Sequence, residues 1–219
     1  MTIFACVSQK GGATKSTTLV NIAAVLASQG KSPVIFDADE QTTAYDWWEC
    51  RYRDYPSAPI IKAYKGKGDG FLDEIGFLSD NNEYVLIDTA GHYSEEMQII
   101  FEVADIILIP FRCSQADLNT LPYMGNIVKQ AKCNRPELKV YVVLSAVKTG
   151  TKKTVESARK LISQYPEFIL LNTIIYSRVC YEDSISTGLG VIEEKKNTPS
   201  LKKAKQEMIE LTGEIYYGN

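Results

Sequence analysis

Short apolar runs alternate along the chain with stretches whose apolar positions return every three or four residues. Ile3–Val7 reads as a strand, a glycine-rich turn follows, and a helix is predicted from about Lys15 to Gln29, with Gly30 as its stop. Val34–Asp37 gives a second strand and Ile60–Ala63 a shorter third. Tyr84–Asp88 and Ile106–Pro110 are apolar throughout, the pattern of strands covered on both faces. Val140–Ala146 and Ile169–Ile175 complete the strands. Between them, Val155, Ala158, Ile162 and Tyr165 keep helical spacing, as do Leu201, Ala204, Met208, Leu211 and Ile215 near the end. Tyr64–Gly70, rich in Lys and Gly, and the charged Glu193–Ser200 read as loops.

Strands alternating with helices predict an α/β fold, a mostly parallel twisted sheet with helices on both faces. At 219 residues the chain suits a single domain spanning 1–219. Hydrophobic residues at 45% and charged residues at 23% are those of a globular protein and exclude disorder. A formal net charge of -3 excludes a basic surface over the whole molecule but leaves room for a local basic patch. The five cysteines are scattered, odd in number and never spaced C-x-x-C, which argues against a disulfide framework, a zinc site or an iron–sulfur cluster. A cytoplasmic location is expected. No apolar run approaches the roughly 20 residues of a membrane span, and the opening residues lack the basic region of a signal peptide.

Ligands of parallel sheets bind beyond the carboxyl ends of the strands. The segment after the first strand is Ser8-Gln9-Lys10-Gly11-Gly12-Ala13-Thr14-Lys15-Ser16-Thr17. In a strand-to-helix turn, successive backbone N–H groups converge on an anion, and the helix N-terminus adds positive potential. Lys15 would then pair with the β- and γ-phosphates of a nucleotide and Ser16 would place its hydroxyl on Mg²⁺. Gln9 and Thr14 stand where a strict G-x-x-x-x-G-K-[ST] loop has glycines. A β-branched residue resists positive φ, so Thr14 implies either another loop conformation or altered nucleotide handling.

Lys10-Gly11-Gly12 followed by Lys15-Ser16 resembles the deviant Walker A motif, K-G-G-x-G-K-[ST], of the ParA/MinD family of P-loop ATPases. The resemblance implies ATP and Mg²⁺ as ligands, with Lys10 through Thr17 around the phosphates and Lys10 as the lysine that reaches a partner's phosphates in an ATP-sandwiched homodimer. Phe36-Asp37-Ala38-Asp39-Glu40-Gln41 resembles the family's D-x-D-P-Q switch I segment, with Glu40 in place of Pro. Asp37 is expected to hold a Mg²⁺-bound water and Asp39 to orient the attacking water; the competing reading is that both cap the following helix. Tyr84-Val85-Leu86-Ile87-Asp88 is an apolar strand ending in Asp, the Walker B pattern, which places Asp88 on the metal through a water. Gly91 would open switch II. His92, the one histidine, reads as a solvent-facing loop residue. The likeness runs in order along nearly the whole chain, and Arg178 falls near where relatives contact the adenine base. The Asn that many relatives carry after the sixth strand is replaced near there by Ser145.

Lys148, Lys152, Lys153, Arg159 and Lys160 cluster around one predicted helix, and Lys195, Lys196, Lys202, Lys203 and Lys205 around the last. ParA-type relatives bind DNA without sequence preference through C-terminal basic residues, which implies Lys152, Lys153, Lys202, Lys203 and Lys205 as DNA contacts; each cluster also fits a solvated helix face. No membrane is expected, because Glu207, Glu210 and Glu214 on the last helix would be repelled by anionic lipid. The implied activity is a slow, DNA- and partner-stimulated ATP hydrolase. It would associate with the nucleoid when ATP-bound and segregate a plasmid or similar replicon with a ParB-like protein bound to that replicon's DNA site. The alternatives are another positioning ATPase of the same type, for a protein cargo, for DNA transfer or at a membrane, and a small-molecule P-loop ligase.

Overall fold

The computed structural model describes all residues except Gly11, Ala13, Tyr93 and Asn219. Seven strands, β1 (Thr2–Cys6), β2 (Pro33–Asp37), β3 (Lys62–Lys65), β4 (Tyr84–Asp88), β5 (Ile106–Phe111), β6 (Lys139–Val147) and β7 (Ile169–Tyr176), form one sheet in the order β3-β2-β4-β1-β5-β6-β7. Every pairing is parallel. The helices are α1 (Lys15–Ser28), α2 (Thr43–Asp54), α3 (Phe71–Asn81), α4 (Glu95–Val103), α5 (Gln115–Leu118), α6 (Leu121–Asn134), α7 (Lys152–Ile162), α8 (Val179–Thr187) and α9 (Pro199–Tyr217). The α/β class and the seven strands follow the sequence pattern. The third strand lies two residues later than Ile60–Ala63, so Tyr64 and Lys65 leave the expected loop and join the sheet edge.

Alternation along the strands sends side chains to two cores. Ile3, Ala5 and Val7 pack with Phe71, Met97, Ile100, Val128 and Ile162 beneath α3, α4, α6 and α7. Phe4 and Cys6 point the other way, onto Leu19, Ile22, Trp47, Leu201 and Leu211 of α1, α2 and α9. Burial on both faces is why the central strands carry almost no polar residue until their carboxyl ends. Pro110 sits inside β5 without breaking it. The Val7 N–H donates to the Leu108 carbonyl, so Leu108 and, two residues on, Pro110 face the side of β1 where that strand has already ended; no ladder bond needs the missing N–H.

The β7 edge is covered rather than left open. Glu214 of α9 accepts the Asn172 and Thr173 N–H groups at 2.7 Å each, and Glu207 accepts that of Tyr176 at 3.3 Å. These carboxylates satisfy the donors by which an exposed edge strand would recruit another chain. Next to that edge, β6 is irregular against β7 around Leu144, and Ala146 is left-handed at φ 50°. The irregularity brings the fully buried Ser145 to the glycine-rich turn after β1. Among the described residues, no helix is long and apolar enough to cross a membrane.

Gly188 ends α8 at φ 76°, and a Cβ there would lie 2.4 Å from the Arg51 backbone nitrogen of α2. Gly213, within α9, has nothing within 4 Å of such a Cβ. Chemical denaturation should therefore find Gly188→Ala destabilised by more than about 1 kcal/mol, and Gly213→Ala stabilised by roughly 0.5–1 kcal/mol.

Candidate functional site

The carboxyl ends of β1, β2 and β4 meet beneath the turn that joins β1 to α1. In that turn Gly12 has φ 73° and Thr14, the residue before α1, has φ 65°. Thr14 thus takes the left-handed conformation that a β-branched side chain resists, at a cost of about 1–3 kcal/mol. Its hydroxyl hydrogen-bonds the Ser145 hydroxyl at 2.5 Å, which ties the strained residue to the end of β6. Lys15 opens α1 with its side chain buried, 5% exposed, and its charge acts on Asp88 and Cys6. Gly11 and Ala13, both expected to contact phosphate, lie outside the described residues.

Parallel pairing sets the carboxylates side by side, because β2 and β4 align Asp37 with Asp88 and β1 aligns Cys6 with Asp88. Asp37 accepts the Asp39 N–H at 3.0 Å and the Tyr45 N–H at 2.9 Å, so its two oxygens hold the segment leading into α2; these are the helix-capping contacts. Burial still raises its pKa. Asp88 is fully buried, and neither of its oxygens has a hydrogen-bond partner among the described residues. Desolvation first, and the neighbouring Asp37 charge second, push its pKa up to about 7; Ser16 and Lys15 act in the other direction. The same burial and the Asp88 charge raise the Cys6 thiol.

Two cavities flank the turn. One, of about 400 Å³, is lined by Gly12, Lys15, Ser16, Thr17, Asp39, Gly91 and His92. Asp39 is fixed there by donating its N–H to Asp37 and accepting the Gln41 N–H. Glu40 is turned outward to Lys67 at 2.6 Å. The other, of about 290 Å³, is lined by Thr14, Thr17, Thr18, Ser145, Tyr176 and Arg178. Arg178 bonds Glu207 at 2.5 Å, and the Tyr181 hydroxyl donates to the same carboxylate at 2.9 Å. Lys10 is exposed and donates from Nζ to the Ala116 carbonyl at 2.5 Å. The turn's described residues, Asp37, Asp39, Asp88 and Gly91 are therefore brought together, with Arg178 lining the second cavity.

The lysine clusters are not brought together. Lys152 and Lys153 begin α7, whose Ala158 and Ile162 belong to one core, while Lys202, Lys203 and Lys205 ride on α9, which packs on the other. Lys202 and Lys203 are exposed, and Lys205 donates to the Glu194 carbonyl. The residue that sequence reasoning passed over is Arg112. It follows β5 and carries no motif, yet its Nη2 lies 3.7 Å from where a Cβ on Gly12 would be.

The family described as VirC1 protein matches residues 1–208. Among curated relatives, the protein virC1 of Rhizobium radiobacter is 31% identical over 120 residues, covering 51% of this chain and 49% of that protein. The chain thus spans about half the length of such relatives in the matched region. Among solved structures, the septum site-determining protein MinD complexed with Mg-ADP from Pyrococcus horikoshii OT3 superposes with a TM-score of 0.72 at 16% identity, covering 99% of this chain and 96% of that one. A ParA family ATPase from Chlorobium tepidum TLS gives 0.68 at 15%, covering 96% and 98%. The fold is that of the ParA/MinD ATPases.

Asp88 makes metal-free stability depend on pH. Its carboxyl has a pKa of about 7 folded against an ordinary 3.8, so folding takes up a proton between those values. The contribution of Asp88 to stability should be greatest below about pH 4, fall as pH rises to about 7 and level off above it, by at most on the order of 4 kcal/mol. Thermal melts of the wild type and of Asp88→Asn in EDTA across that range check this: the variant should be the more stable of the two at pH 8 and should lose most of the slope.

Proposed function

The chain belongs to the VirC1 protein family, and we propose that it is an ATP hydrolase of ParA/MinD type that closes as an ATP-sandwich homodimer, binds DNA without sequence preference and drives segregation of a plasmid or similar replicon. The observation that carries this reading is the buried Asp88 carboxylate, which finds no well-formed hydrogen-bond partner among the described residues, beside Asp37, Lys15 and Ser16. Such a group is costly unless a cation meets it. The donor set, carboxylate and hydroxyl oxygen, suits a hard divalent ion such as Mg²⁺. When bound, that ion neutralises charge developing on the transferred phosphoryl group.

The chain's own residues have separable tasks. Backbone N–H groups of the turn cradle the phosphates, Lys15 pairs with the β- and γ-phosphates, and Ser16 and Asp88 hold the metal. Asp37 fixes the entry to α2 and, through the Asp39 N–H, the place of the Asp39 carboxylate, which orients the attacking water. Gly91 supplies the flexible start of switch II. Arg178, held by Glu207, faces the base. Lys10 leaves Ala116 to reach the partner's phosphates.

DNA contact is assigned to Lys202 and Lys203, exposed on α9, with Lys205 beside them and Lys152 and Lys153 on the other face of the sheet. Dimer closure doubles each patch, which makes DNA binding depend on ATP. A ParB-like protein on the replicon's DNA site stimulates turnover. The protein is placed in the cytoplasm, on the nucleoid when ATP-bound. Glu207 and Glu214, spent on Arg178 and the β7 edge, leave α9 a structural helix rather than a lipid anchor.

Sedimentation with ATP and with ADP tests the switch. Lys15→Ala should bind neither nucleotide, whereas Lys10→Ala should bind ATP and stay monomeric; identical behaviour of the two variants overturns a trans role for Lys10. Neutralising Lys202, Lys203 and Lys205 together should flatten the dependence of ATP-stimulated DNA binding on salt, the slope falling by about 0.9 for each DNA phosphate that is no longer neutralised. An unchanged slope moves the DNA surface elsewhere.

A further inference from the structure

The β5–α5 connection meets the phosphate turn at two points. Ala116 accepts Lys10 at 2.5 Å, and the Arg112 guanidinium lies against Gly12, with Nη2 3.7 Å from the position of a Cβ on that glycine. Arg112 lines the 290 Å³ cavity together with Gly12, Thr14, Thr17, Thr18 and Ser145. It is exposed. It makes no ion pair or hydrogen bond among the described residues. Glu182 lines the same cavity without pairing with it.

The other cations around the nucleotide are already engaged. Arg178 is neutralised by Glu207, Lys10 is on a backbone carbonyl, and Lys15 is buried beside Asp88. A bound polyphosphate brings several negative charges to a turn where, among the described residues lining the cavity, Arg112 is the cation not already paired. A planar guanidinium can bridge two phosphate oxygens at once. Arg112 does not line the 400 Å³ cleft that holds Ser16, Asp39 and Gly91. Its side of the turn is therefore the nucleoside side, remote from the γ-phosphate.

We propose that Arg112 is a further nucleotide-binding residue, whose guanidinium holds the phosphate nearest the nucleoside of an ADP or ATP bound to its own subunit. The inference rests on the nucleotide-binding reading above. Because the contact is made to a phosphate present in both nucleotides, it contributes equally to both and does not discriminate between the two states of the switch.

Fluorescence titration of mant-ADP and mant-ATP, with Mg²⁺, into the wild type, Arg112→Ala, Arg112→Lys and Lys15→Ala tests it. Arg112→Ala should weaken both nucleotides by a common factor of about tenfold or more, while the melting midpoint of the nucleotide-free protein stays that of the wild type. Arg112→Lys should recover part of the affinity, since the charge remains and the fork is lost. Wild-type affinity in Arg112→Ala, alongside a failed Lys15→Ala, overturns the assignment and leaves the ATPase reading standing. A loss confined to mant-ATP overturns it too, because the charge then serves the γ-phosphate. Intact nucleotide binding with weakened DNA binding reassigns Arg112 to DNA phosphates. A wild type that binds neither nucleotide removes the ATPase reading and this inference with it.

Discussion

The register between β2 and β4 forces two carboxylates into contact range at the bottom of the site. Once Phe36 pairs with Ile87, Asp37 must lie beside Asp88, and both side chains are buried. Asp37 resolves its half of the problem through backbone N–H groups. Asp88 does not, and its carboxyl is pushed up to about 7. A fold that keeps an unsatisfied buried acid holds a local penalty that only a cation or a proton removes, and such penalties gather where ligands bind. The placement of Lys15 and Ser16 at the start of α1 follows the same logic, since both lower the pKa of Asp88.

Two of the departures from the expected motif, Thr14 and Ser145, solve each other. A glycine before α1 would reach φ 65° without strain. Threonine reaches it because its hydroxyl finds Ser145, and Ser145 is available because β6 breaks register with β7 and turns left-handed at Ala146. Of the two possibilities raised by a β-branched residue in the turn, an altered loop conformation is therefore not needed. Restraint takes the place of flexibility: the loop is pinned to β6 by a side chain, and Ser145 lines the 290 Å³ cavity with Arg178.

Much of this was legible because periodicity and strand-end chemistry are local. Apolar runs ending in Asp37 and Asp88 announced both strands and their site, and Lys10-Gly11-Gly12 with Lys15-Ser16 announced the turn. What stayed hidden depends on elements far apart in sequence. Arg112 carries no motif, and its position against Gly12 exists only after β1 and β5 pair. The two lysine clusters looked alike in sequence, but the chain wraps β7 between them and leaves α7 and α9 on opposite faces. The third strand was placed two residues early because Ile60 is apolar yet 71% exposed, a surface residue that hydrophobicity alone misreads. Pro110 marked the expected end of β5, and only the pairing of Val7 with Leu108 explains why the strand continues through it.

The contact of Lys10 with Ala116 bears on how a switch of this kind can turn. A lysine buried against a carboxylate would have to break a charge pair before serving another subunit, a loss of several kcal/mol. Lys10 instead rests on a neutral carbonyl at the surface, where water can replace it at a net cost of about 1 kcal/mol. Phosphate oxygens offer a charge-assisted bond roughly twice as strong, so in the proposed sandwich dimer the exchange would run downhill as soon as a second nucleotide approached. The same β5–α5 connection carries Arg112, which under the proposal stays with the nucleotide of its own subunit. One short segment would then touch both phosphate-seeking cations, and departure of Lys10 from Ala116 would free that segment to settle against the nucleotide that Arg112 already holds. Under the proposal, subunit closure and nucleotide retention would be linked through backbone shared by the two side chains, with no need for a long-range path across the sheet.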